Sequence, residues 1–149
     1  MLGTTRHTKA SIGNHLAVGI ICSIKVIIAA GMSFNTVYGD LKCPHCQGVV
    51  SSGVGFQVGA IEHRKYKVGE TLNWRGSECR PKEKPKGGNI LTVGYFNCDN
   101  PACGSWFDCY PEVQTALVVI KNNRISEVSV YNGELSGEKF EILKASKAR

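Results

Sequence analysis

The sequence predicts a mainly β protein, in which two cysteine-bearing turns join a small antiparallel sheet. Three observations carry that expectation. Two cysteine pairs, Cys43-Pro44-His45-Cys46 and Cys98-Asp99-Asn100-Pro101-Ala102-Cys103, stand 51 residues apart. Short runs with two-residue periodicity recur, at Val54–Ile61 and Ile125–Tyr131 for example, whereas segments of helical period are scarce. Seventeen glycines break the 149-residue chain into pieces suited to strands and turns. The length suits one domain able to bury a modest core.

Each cysteine pair has the chemistry of a metal-binding turn. Two thiols three positions apart at a tight turn can face one ion, and a second pair from far along the chain completes a tetrahedral S₄ shell. The wider Cys98–Cys103 spacing remains within reach. Pro44 stiffens the first turn, and Gly48 and Gly104 follow the second cysteine of each pair, where positive φ lets backbone N–H groups face sulfur. The expected ligands are Cys43, Cys46, Cys98 and Cys103 around one structural Zn²⁺, with Fe as the alternative ion. His45 could replace a thiol, but both flanking cysteines are available. CPHCQG and CDNPACG together resemble the knuckles of zinc-ribbon, rubredoxin-like proteins, and the intervening GFQVG and YKVGETLNW resemble small uncharacterised bacterial zinc-ribbon proteins. The resemblance covers about 13 residues. It implies metal binding and a β-rich ribbon, and no activity.

The first 31 residues read as lying outside the fold, which leaves 32–149 as the β domain. Leu16–Gly31 is apolar apart from Ser23 and Lys25, and Arg6 and Lys9 precede it. That outline fits a leader, an anchor, or a late true start at Met32. Sixteen residues fall short of the roughly 20 that span a bilayer, and Lys25 inside the run opposes insertion. An isolated helix is the expected shape of this stretch if it is ordered. The location expected is cytoplasmic, with export or membrane anchoring through residues 1–31 as the alternative. Cys22 reads as a buried apolar side chain.

Net charge is +6, but residues 1–31 hold three basic side chains and no acid, leaving 15 basic against 12 acidic residues, or +3. Four thiolates on Zn²⁺ subtract a further two. The folded part is therefore near neutral, which weakens a case for nucleic acid drawn from charge alone.

Between the knuckles, Val54–Ile61 reads as one half-buried strand with Tyr66–Gly69 as its short partner. Trp74 is a large anchor whose N–H needs an acceptor. Residues 75–88 read as a loop holding Arg75, Arg80, Lys82, Lys84 and Lys86 against Glu78 and Glu83. Arg80, Lys82, Lys84 and Lys86 are the candidate phosphate contacts, although the loop has no aromatic residue for base stacking. Glu62 and His63 are neighbours facing opposite ways and make no acid/base pair. Asn89–Asn97 delivers the chain into Cys98, and Ser105–Tyr110 leaves the second knuckle, with Trp106 and Tyr95 expected to cover the sulfurs. Cys79 reads as a spare thiol, and Cys109 as a small inward-facing hydrophobe.

The C-terminal hairpin pairs Thr115–Ile120 with Ile125–Tyr131 across Asn122-Asn123, residues that tolerate the positive φ of a type I′ turn. Its first strand is apolar throughout, as if buried on both faces. Asn132-Gly133-Glu134 and Ser136-Gly137-Glu138 read as turns, and Phe140, Ile142 and Leu143 as a last strand or short helix.

No nucleophile–base constellation, phosphate loop or carboxylate pair is present, and a shell of four thiolates leaves no open coordination position for catalysis. The expectation is a non-enzymatic, zinc-stabilised β protein that binds another protein. A nucleic-acid-binding ribbon using the loop at 75–86 is the alternative, and an iron electron carrier the third reading. No small-molecule substrate is evident, and membrane contact requires residues 16–31.

Overall fold

A computed structural model describes residues 33–133 and 140–143. The expectations for residues 1–31 and for the turn at Ser136 lie outside these residues. Among the described residues eleven strands follow in order: β1 (Asn35–Tyr38), β2 (Val54–Phe56), β3 (Gly59–Ala60), β4 (Lys65–Lys67), β5 (Cys79–Arg80), β6 (Ile90–Phe96), β7 (Trp106–Phe107), β8 (Tyr110–Pro111), β9 (Gln114–Lys121), β10 (Arg124–Val130) and β11 (Phe140–Ile142). Among the described residues there is no helix, and so none that could cross a membrane. The expected mainly β class is what the fold shows.

Six strands form a sheet in the order β10-β9-β6-β2-β1-β4, and β11 adds a seventh by pairing with β6. Strands β3 and β5 form one small ladder, β7 and β8 another. The large sheet curls until its ends meet. Gly69 N–H donates to Ile125 O at 2.7 Å, Ile125 N–H to Glu70 O at 3.0 Å, and Leu72 N–H to Asn123 O at 2.9 Å. The segment after β4 thereby covers the start of the β10 edge, removing a stretch of open strand from solvent. Inside the curl pack Val37, Val54, Phe56, Tyr66, Leu72, Ile90, Val118, Ile120 and Ile125, with Cys43, Cys98 and Cys103 in the same buried cluster.

Three expectations need correction. The sheet is not wholly antiparallel, because β4 runs parallel to β1 in the register Thr36↔Lys65, Val37↔Tyr66, Tyr38↔Lys67. Tyr66 therefore belongs beside β1 and not beside β2. The stretch 54–61 is also not one strand. It leaves the sheet after Phe56, and β3 pairs instead with β5, inside the region expected to be loop.

A buried asparagine explains the break. Asn35 has no exposed surface. Its Nδ2 donates to Val58 O and Ala60 O at 3.2 and 2.9 Å, and its Oδ1 accepts from the Glu62 and Arg64 N–H groups at 3.4 and 3.1 Å. One side-chain amide thus supplies the partners that 58–64 would otherwise take from a neighbouring strand.

Strand β6 sits centrally, pairing along its length with β9 and touching β2 only at Gly55↔Tyr95. Gly94 permits that close crossing. A Cβ there would lie 2.4 Å from Val54 Cγ1 and 2.9 Å from Gly55 O.

The β9–β10 hairpin turns as expected, with φ of 49° at Asn122 and 65° at Asn123. Its loose alternation also has a cause. The register slips between Ile125 and Glu127, so Ser126 is the extra residue of a bulge and its hydroxyl donates to Val119 O at 3.1 Å. Three positions, not two, therefore separate the inward Ile125 and Val128. The hairpin tip anchors distant loops as well, since Trp74 Nε1 donates to Asn123 Oδ1 at 2.5 Å and Asn123 N–H to Gly88 O at 2.8 Å.

Candidate metal centre

The first knuckle is a hairpin in miniature. Lys42 and Val49 bridge, Cys43 N–H donates to Gly48 O at 2.9 Å, and Gln47 N–H closes the turn onto Cys43 O at 2.8 Å. The left-handed residue is Gln47, with φ of 61°, and not the expected Gly48. Gly48 has a different reason to be small. A Cβ on it would sit 3.3 Å from Cys46 Sγ, whereas one on Gly104 would meet nothing within 4 Å.

The second knuckle is built on Asn100 and Pro101. Asn100 Oδ1 accepts from Ala102 N–H at 3.0 Å, and Asn100 O accepts from Cys103 N–H at 3.0 Å. Proline at the second position of such a turn has its φ preset. The two additional residues relative to a three-position spacing are thereby folded into a turn, which returns Cys103 toward Cys98. Trp106 Nε1 donates to Cys98 O at 2.8 Å and packs against the core. Tyr95, expected as a second cover, is 47% exposed. Beyond Trp106 the chain forms the β7–β8 hairpin in place of a single return strand, with Cys109 half-buried in its turn.

The fold brings Cys43, Cys46, Cys98 and Cys103 together, their Sγ atoms all within 4.8 Å of one another. Cys43 Sγ lies 3.8 Å from Cys103 Sγ, and Cys46 Sγ lies 3.6 Å from Cys98 Sγ. Zinc–sulfur bonds of about 2.3 Å in a tetrahedron give an S···S edge of about 3.8 Å. The donor set and its spacing therefore fit a four-coordinate ion. Cys43, Cys98 and Cys103 are buried and Cys46 is half-buried. His45 is exposed and stands outside the group.

Donors surround the sulfurs. The Asn100 N–H points at Cys98 Sγ and the Ser105 N–H at Cys103 Sγ, each at 3.5 Å, and the Ser105 hydroxyl donates to Cys103 Sγ at 3.2 Å. Gln114 Nε2 reaches Cys43 Sγ at 3.7 Å. Such contacts favour thiolate and orient the ligands.

The thiols are pushed apart in acidity. Burial opposes ionisation at Cys43, but the Cys46 and His45 N–H groups and the Gln114 amide outweigh it and bring the thiol down to about 6. Burial pushes Cys98 up to about 12, reinforced by the adjoining Cys46, Cys43 and Cys103 sulfurs. The Ser105 hydroxyl and N–H hold Cys103 below its ordinary value. Negative charges this close cannot all form without a cation between them, and a divalent ion at the centre removes that conflict.

One further residue, unforeseen from the sequence, ties the knuckles together. Asp99 Oδ2 accepts from Ser51 N–H at 2.6 Å, from the Ser51 hydroxyl at 3.0 Å and from Ser52 N–H at 3.2 Å. Burial works against its charge, but these serine donors prevail and lower its pKa. The available signal was an acid beside a ligand and a Ser-Ser-Gly turn after the other knuckle, 48 positions away. Gln114, 71 positions from Cys43, left no local signal.

The four basic candidates separate. Arg80 is engaged by Glu78 at 2.8 Å and by Gln57 Oε1 at 2.8 Å. Lys82, Lys84 and Lys86 are exposed around a buried Pro85, with no ion pair among the described residues. Cys79 lies on β5 outside the cluster, its thiol donating to Trp74 O at 3.3 Å.

No protein-family model, curated protein or solved structure matches the chain.

Proposed function

We infer that the four cysteines hold one Zn²⁺ as a structural ion, and that the chain acts as a small protein-binding module with no catalysis of its own. The observation behind this reading is the four-thiol cluster, three of whose members are buried. Four thiolates would fill a tetrahedral shell, leaving no position for water or substrate. Zinc binding is then folding free energy, on the order of 10 kcal/mol by the scale of zinc-finger peptides. The binding role draws support from apolar side chains left in solvent on segments flanking the knuckles. Val49, Phe107 and Val113 are each more than half exposed.

Elemental analysis of the natively produced chain tests the ion. One zinc per chain is expected, with loss of folded signal on chelation. A red protein with visible absorbance would assign the site to iron and electron transfer instead. Stoichiometric copurification with another protein is the expected outcome for the binding role, and a chain that stays alone under every condition counts against it.

The exposure of Lys82, Lys84 and Lys86 favours a second reading, a nucleic-acid-binding ribbon. It calls for salt-dependent binding of DNA or RNA that weakens when these three lysines become alanine. Arg80, already paired, should contribute little.

A further inference from the structure

We propose that the cluster is a peroxide-responsive switch, in which oxidation exchanges the metal for two disulfides that both cross between the knuckles, Cys46–Cys98 and Cys43–Cys103. This rests on the ion-binding reading above and adds a regulation to the same site.

The pairing follows from geometry. Within a group whose sulfurs all lie within 4.8 Å of one another, two pairs from opposite knuckles approach closely, at 3.6 Å for Cys46 and Cys98 and 3.8 Å for Cys43 and Cys103. The two pairs share no atom, so both bonds can form in one molecule. A Cys43–Cys46 bond would instead close across the tight turn held by the Gln47 N–H on Cys43 O. Crossing bonds do what the metal does, since each holds residues 52 or 60 positions apart. The knuckles stay closed after the ion has left.

The order follows from access. Cys46 is the half-buried member, and the other three are buried, so a hydroperoxide reaches Cys46 first. The Cys46 thiolate attacks one peroxide oxygen. An S–O bond forms, the O–O bond breaks and hydroxide leaves, to be protonated to water. The Cys98 thiolate then attacks the resulting sulfenic sulfur, forming S–S and expelling the second oxygen as hydroxide. Two electrons have passed from two thiolates to one peroxide. With two ligands lost, the ion departs, and a second peroxide oxidises Cys43 and Cys103 by the same two steps.

The test uses the full chain carrying Cys79→Ser, which removes the one free thiol outside the cluster among the described residues. Zinc content is measured first. Hydrogen peroxide is then added in equivalents, with released zinc read by a chromogenic chelator and linkages by peptide mass mapping without reduction. The expected result is Cys46–Cys98 as the first linkage, release of the ion with it, and Cys43–Cys103 at the second equivalent, with the β-sheet circular dichroism retained. A Cys43–Cys46 bond as first product, oxygenated Cys46 without any linkage, or zinc retained after two equivalents would each overturn the proposal. The two readings fail separately. Crossing linkages in a chain that never held metal would sink the zinc assignment and leave the pairing, while bound zinc with linkages inside each knuckle would do the reverse.

Discussion

Asp99 is the side chain through which the two knuckles are held in register by hydrogen bonds, and its removal tests how the centre is assembled. Its carboxylate takes three hydrogen bonds from Ser51 and Ser52. Hydrogen bonds to a charged group contribute about 1.5–3 kcal/mol each when shielded, but Asp99 is solvent-exposed, and water replaces much of what is lost. Asp99→Ala should therefore cost about 2 kcal/mol in total. Asp99→Asn keeps an acceptor without the charge and should cost about 1 kcal/mol.

Because the contact spans both knuckles, the loss should also appear in metal affinity. About 2 kcal/mol corresponds to a roughly 30-fold rise in the Kd for zinc. Urea unfolding of the zinc-loaded protein measures the first effect, as a lower midpoint at unchanged slope. Competition with a chelator of known affinity measures the second. Ser51→Ala removes only the hydroxyl contact, and in the Asp99→Ala background it should have little further effect. An Asp99→Ala protein whose midpoint and zinc Kd both match the parent would refute this account, because the carboxylate would then be decoration on an assembly held entirely by the ion.

Gly94→Ala should destabilise by about 1–3 kcal/mol or more in thermal or urea unfolding, since its Cβ would press on Val54 and on the Gly55 carbonyl, a backbone atom that cannot step aside. Gly48→Ala should weaken zinc binding while Gly104→Ala leaves it within experimental error, as only the former would crowd a sulfur; chelator competition on both variants checks the asymmetry. Asn35→Leu should cost about 2–4 kcal/mol, because two carbonyls and two N–H groups of the 58–64 segment lose their partner in the interior. Increased hydrogen exchange confined to that segment would accompany the loss, and an unchanged melting temperature would contradict it.

Features that depend on neighbours in the chain were legible in residue order alone. The β character, the Asn122-Asn123 turn and the two cysteine turns all follow from residue type and short spacing, which fix local φ/ψ preferences and side-chain periodicity. Residue order also singled out the four cysteines that the fold brings together, because metal-ligand spacing is itself a local pattern. Which edges meet, and which polar groups satisfy one another, depends on the folded arrangement. The parallel pairing of β1 with β4, the departure of β3 from the sheet around the Asn35 amide, the Asp99 link between knuckles and the Gln114 contact with Cys43 join residues 23 to 71 positions apart. Such contacts are selected by the need to pair every buried donor and acceptor once the curl has closed, and no window of sequence contains both partners.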